Sequence, residues 1–381
     1  MLYTPSNHEP LTETPWDESR AREGIAEIVR DAEHGLRPDS LWRVHPREDP
    51  EEDWPEGSTT LYLGAAGVVW ALDWLGTELD LRQAIERAVS LYAERPDFGE
   101  RVPALWTGEA GIRAVALKVT GNEEHAERLL QLVRRNVTNE TNELMWGAPG
   151  TMLAARAALE WTGDRRFVEV WEWSAEHLWN EWQADGLWTQ HLYGREIHSL
   201  GPAHGFAGAV RALLQGDERV DEIRGRARPV VERTAIRENG LATWPPDAHK
   251  PLEQERGGIR VQWCHGAPGI VATLWDVAPE DLLVAGGELT WEAGPLVKGG
   301  GLCHGTAGNG YAFLKLHGLT GDERWLERAR SFAMHALEQV EQARAEYRRG
   351  RYSLWTGDVG TAVYLRSCLD ADDRVPTIDV W

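Results

Sequence analysis

Two cysteine–histidine dipeptides, Cys264-His265 and Cys303-His304, stand 39 residues apart, and a glycine follows each at once. A third histidine, His204, also precedes a glycine. Two Cys and up to two His converging on one cavity match the donor set of a zinc site. Three protein ligands would leave a fourth position for water or substrate, the mark of a catalytic site. The same residues admit other readings: buried thiols beside core histidines, a Cys264–Cys303 disulfide, or a thiol nucleophile working with histidine. Equivalent placement in neighbouring repeats weighs against the first. Three cysteines in a long chain without a signal-peptide pattern weigh against the second. Cys368 lies in an apolar run and reads as a small core residue.

Glycines mark the elements that would position these groups. Gly-x-x-Gly recurs seven times, beginning at Gly64, Gly108, Gly147, Gly205, Gly266, Gly305 and Gly357. The period averages about 49 residues, near the range of helical repeat arrays. An apolar stretch follows each pair, and Thr120-Gly-Asn122, Thr162-Gly-Asp164, Gln215-Gly-Asp217 and Thr320-Gly-Asp322 then supply a helix stop and the next helix start. Thr306 to Leu319 is apolar on nearly every side, as a fully buried helix requires, whereas Trp325 to Val340 is amphipathic. Each unit therefore reads as an inner helix followed by an outer one. Seven such hairpins closing into a ring make an all-α fold, an α/α toroid, over residues 58–381. Residues 1–57, with the acidic run at 48–53, read as an N-terminal extension packed on the outer ring.

In this register the residue one or two places before each first glycine faces the ring's centre. Four tryptophans, Trp106, Trp146, Trp263 and Trp355, fall within three residues of those glycines and are expected to wall a wide apolar mouth. Trp is unusually frequent, 20 against 5 Phe and 8 Tyr. Pro245-Pro246 and Gly257-Gly258 mark a long connection read as a lid, and His191 and His198 a rim segment.

Arg260-Val-Gln-Trp-Cys264-His-Gly-Ala-Pro-Gly269 and Leu302-Cys303-His304-Gly-Thr-Ala-Gly-Asn309-Gly310 resemble the lanthionine synthetase C-like (LanC-like) family, as does Ala203-His204-Gly205. The resemblance implies a seven-fold toroid with zinc held by Cys264, Cys303 and His304. It places the catalytic acid/base on His204 and a cavity arginine on Arg260. His265 stands where some members have Tyr, and Glu143 where some have Asp. The implied chemistry is addition of a thiol to the β-carbon of a dehydroalanine or dehydrobutyrine residue. The enolate would be met by Arg260 or the metal, and the α-carbon protonated by His204.

A net charge of −21 makes nucleic acid and anionic membrane surfaces poor partners, and no apolar run is long enough to span a bilayer. The expected setting is the cytoplasm. The toroid nearly fills the 381 residues and leaves no room for a dehydratase domain. That tilts the expectation towards thiol addition, with glutathione or a peptide cysteine as donor, over a lanthipeptide cyclase. Two other classes remain as alternatives, a non-catalytic zinc scaffold and a toroidal glycan enzyme. The latter would need paired carboxylates, for which Glu109 and Asp358 are the inner-register acids, although both also suit helix N-termini.

Overall fold

The computed structural model describes residues 1–37, 40–48, 57–216, 219–252 and 258–381. Most of the acidic run (49–53), Asp217 and Gly257 lie outside the described residues. Fourteen α-helices, one 3-10 turn (Pro5–Asn7) and two short β-hairpins are the regular elements of the described structure. Seven helices form the inner ring: α2 (Ala65–Leu75), α4 (Glu109–Thr120), α6 (Ala148–Thr162), α8 (Phe206–Leu213), α10 (Ala267–Thr273), α12 (Thr306–Thr320) and α14 (Asp358–Asp370). Each packs on the next, and α14 returns to α2, so the ring closes. The outer ring holds α3 (Arg82–Glu94), α5 (Glu123–Asn136), α7 (Arg166–Glu181), α9 (Val220–Thr234), α11 (Glu280–Ala293) and α13 (Glu323–Tyr347). The seventh outer position belongs to α1 (Glu18–Gly35), which lies on α14 and buries Ala21, Ile28 and Ala32.

The repeat follows from backbone crowding. The first glycine of every pair is the N-cap of its inner helix. At the second glycine a Cβ would fall well inside van der Waals contact of the carbonyl oxygen six residues earlier, in all seven units. The preceding loop therefore lies directly on the helix's first turn. Gly308→Ala is expected to cost about 3 kcal/mol, because a methyl there meets the Leu302 carbonyl. Gly225→Ala, in outer helix α9 with nothing nearby, should instead stabilise by about 0.5–1 kcal/mol. Urea unfolding of the two variants measures the contrast.

Three of the four predicted turns stop their helices as expected, whereas α8 already ends at Leu213 and Gly216 is not in the left-handed region. Gly121, Gly163 and Gly321 end α4, α6 and α12 in the left-handed region, and Asn122 and Asp322 cap α5 and α13 through their side chains. No helix among the described residues is long and apolar enough to cross a membrane.

The tryptophans differ from expectation. Trp106, Trp263 and Trp355 are fully buried, and their ring centroids lie 4.3, 4.8 and 6.0 Å apart. They fill the centre of the ring instead of walling an open mouth. Positions just before inner helices on different sides of the ring aim at one axis, and a seven-unit bore is narrow enough for three indoles to touch. From the C-terminal segment, Thr377 Oγ1 accepts a hydrogen bond from Trp106 Nε1 at 3.3 Å. Trp146 alone of the four is half-buried, edge-on to Phe98 at the rim.

Candidate functional site

A ladder of backbone hydrogen bonds joins the loops that precede the inner helices. Cys264 N–H donates to the Cys303 carbonyl (3.0 Å), Cys303 to Trp355 (2.7 Å), Trp355 to Tyr62 (3.4 Å) and Tyr62 to Trp106 (2.9 Å). Residues at equivalent repeat positions are thus tied side by side. Gln262 and His265 also exchange two backbone bonds, of 3.0 and 2.9 Å, which turn the Trp263-Cys264 tip inward. Gly266 follows at φ +106°, a conformation open to glycine.

The donor atoms of Cys264, Cys303 and His304 lie within 4.8 Å of one another. Both cysteines are buried and His304 is half-buried. Zinc bonds of about 2.0–2.3 Å put the ligands of one tetrahedron roughly 4 Å apart, so this set needs only a small closing movement. Its chemistry, two soft thiols and an imidazole, fits zinc. Among the described residues it is the one such cluster. Of the coupled pair, Cys264 is the thiol held well below the ordinary range, by hydrogen bonding from Cys303 and by the adjacent His265 and His304, against the cost of burial.

Several residues that sequence reasoning passed over support the sulfurs. Gln262 Nε2 donates to Cys264 Sγ at 2.9 Å, and Gln262 Oε1 accepts from Lys298 Nζ at 3.0 Å. The Tyr62 hydroxyl lies against Cys303. Tyr62 was readable as a residue two places before a first glycine. Gln262 carried no signal of its own, since glutamine supports a sulfur only once the turn aims it. Gln262→Leu is expected to weaken metal affinity about 10–100-fold, measured by competition with a chromogenic chelator.

His204 stands beside this cluster. Its Nδ1 meets Glu143 Oε2 at 3.0 Å. Glu143 is fully buried, and its oxygens also accept from the backbone N–H groups of Met145 (3.0 Å), Trp146 (2.6 Å) and Gly147 (3.1 Å). The carboxylate is thereby fixed at the start of α6, and it orients the imidazole with Nε2 on the far side. Burial opposes protonation of His204, but the hydrogen bond and charge of Glu143, aided by Cys264, outweigh it and raise the pKa above the ordinary histidine value.

His265 stacks near His204, with centroids 6.3 Å apart. Burial, with help from His204, Arg260 and Lys298, pushes its pKa down to about 4 against the pull of Cys264. Its Nδ1 is buried and has no hydrogen-bond partner among the described residues. Arg260 is half-buried and close enough for its charge to act on His265.

The rim is built by a hairpin of β1 (Gln190–Leu192) and β2 (Arg195–Ile197), whose tip residue Tyr193 stands edge-on to His204 at 6.2 Å. The 246–248 part of the connection read as a lid is pinned to residues 198–200, through Leu200 N–H to Pro246 and Ala248 N–H to His198, so it forms a fixed wall. Glu109 and Asp358 are engaged elsewhere. Glu109 holds Arg101, Arg113 and Arg128, and Asp358 lies buried beside Arg344.

Comparison with known proteins agrees with this geometry. A family model described as lanthionine synthetase C-like protein matches residues 47–380. Glutathione S-transferase LANCL1 of Danio rerio is 31% identical over 207 residues, covering 51% of this chain and 47% of that protein. LanC-like protein GCL1 of Arabidopsis thaliana is 35% identical over 175 residues, covering 42% and 38%. The chain thus spans less than half the length of each of these two relatives. Among solved structures, nisin cyclase shares the fold with a TM-score of 0.61 at 16% identity, over 92% of this chain and 94% of that one.

Proposed function

The chain belongs to the lanthionine synthetase C-like family, and on that premise we propose that its site adds a thiol to dehydroalanine or dehydrobutyrine residues of a peptide, forming a thioether. The observation that carries this reading is the meeting of Cys264, Cys303 and His304 beside a histidine held by a buried carboxylate. Zinc bound by those three residues would supply a thiol already held as thiolate at neutral pH.

The remaining work falls to the chain. The carbon–sulfur bond forms at the β-carbon, and the alkene π pair moves towards the carbonyl, giving an enolate. Arg260 provides positive charge for that enolate. His204, whose protonated form Glu143 favours, delivers a proton to the α-carbon. The thiol loses one proton and the product gains one, so no oxidant or reductant is needed. Glutathione is the favoured thiol, given the likeness to a relative named for that activity. A reaction that consumes free thiols suits the reducing cytoplasm. A sugar-cleaving role lacks support, since Glu109 and Asp358 are enclosed among arginines.

The test is to incubate zinc-loaded protein with glutathione and a dehydroalanine peptide and to follow mass. An increase by one glutathione, faster than the uncatalysed reaction, is the expected result; no acceleration would overturn the reading. A peptide carrying both a cysteine and a dehydro residue, cyclised with no change in mass and in preference to glutathione addition, would assign the cyclase activity instead.

A further inference from the structure

A concavity that thiol addition leaves unused opens beside the loop that leads into Glu143. It measures about 470 Å³ and opens between residues 138–142, the end of α7 and the β1–β2 hairpin. Glu140, Glu181 and Glu196 line it, together with His177 and His191, and no lysine or arginine is among the lining residues. Glu196 lies 4.0 Å from His191 Nδ1 across the hairpin, while two acids in other cavities are answered by arginines. Glu288 takes Arg324 and Arg328, and Asp276 takes Arg211 and Arg224.

A second observation of another kind joins the acidic cluster. Asn142 lines the same cavity and is only 6% exposed. Its Nδ2 donates to the Thr189 carbonyl at 3.1 Å, which leaves Oδ1 as the acceptor end of the amide. That oxygen is buried and has no donor among the described residues. A buried acceptor without a partner is unfavourable, and a ligand bringing N–H groups into the cavity would relieve it.

The cavity is coupled to the reacting atoms along two routes. Asn142 directly precedes Glu143, whose carboxylate holds His204. The hairpin is tied to the same loop by His191 N–H donating to the Glu140 carbonyl at 3.1 Å. His191 and Glu196 face each other across the hairpin, so one element brings Tyr193 to His204 and Glu196 to the cavity.

We propose that this cavity is a specificity subsite for a basic side chain, arginine or lysine, of the peptide substrate. The proposal rests on the thiol-addition reading of the neighbouring site. An ammonium or guanidinium group would meet three carboxylates and the orphaned amide oxygen, in charge-assisted hydrogen bonds. An extended peptide advances roughly 3.3 Å per residue, so a side chain roughly two to four residues from the reacting position can reach an adjoining cavity. The net charge of −21 favours encounter with the same peptides.

Binding of labelled peptides to the full chain, followed by fluorescence anisotropy, tests this. Alanine stands in for the dehydro residue, and arginine is placed in turn at each position roughly two to four residues to either side. Each peptide has a glutamine twin. At one position or more the wild type should bind the arginine peptide about tenfold more tightly, with the advantage shrinking as salt rises. The variant Glu140→Gln/Glu181→Gln/Glu196→Gln should bind both twins alike. Glu181→Gln alone should lose part of the preference, which guards against misfolding of the triple variant. Equal binding of all twins by the wild type, or a preference that survives the triple substitution, overturns the proposal. The alanine peptides cannot react, so failure here is distinct from failure of thiol addition.

Discussion

Cys303→Ala is expected to purify without stoichiometric zinc and to lose about 10³-fold or more in thiol-addition rate, as removal of several kcal/mol of metal assistance requires. The fold should survive the change. Cys303 contributes its backbone N–H and carbonyl to the ladder between Trp355 and Cys264, and alanine keeps both. What disappears is one of three donor atoms within 4.8 Å, together with the sulfur that lowers Cys264. Elemental analysis beside a thermal melt separates the two effects. A variant that melts like the wild type but carries no metal supports the site. Full zinc content in Cys303→Ala, or wild-type protein free of zinc despite never meeting a chelator, would remove the centre from the argument.

The second large effect is expected from Glu143→Gln. In the wild type, Glu143 raises the His204 pKa, so the acid form persists to higher pH than for an ordinary histidine, and the rate falls as pH rises through that raised value. Glutamine keeps the shape but removes the charge, leaving burial to act in the opposite direction. The alkaline limb of the rate profile should then move to lower pH, with a loss of about 10²-fold near and above neutrality. His204→Ala should lose about 10²–10⁴-fold across the whole range. An unchanged alkaline limb in Glu143→Gln would show that His204 is not the proton donor.

Much of this was legible in the sequence, for a steric reason. Each inner helix begins under its own loop, and only glycine permits that contact, so the architecture left its mark at every unit. The Cys-His-Gly motifs were visible because they interrupt that mark with reactive groups. The outer helix α1 left no comparable sign. Its pairing with α14 is ordinary amphipathic packing between segments more than 300 residues apart, which no local pattern announces. The tryptophans keep their expected register but fill the centre, because register says where a side chain points and not how wide the space there is. The Glu143–His204 pairing was hidden for a similar reason, since 61 residues separate its members.

The position of α1 also bears on how the molecule is made. Helix α1 precedes its main partner α14 by more than 300 residues, so until α14 is made the apolar stripe of Ala21, Ile28 and Ala32 lacks most of its cover. The intermediate units can stack as they emerge, but the two ends of the array must find each other afterwards. Closure of this kind is a late, long-range event, and proteins dominated by such pairings fold slowly and expose sticky surface meanwhile. Closure of the ring is therefore expected only after α14 has been made.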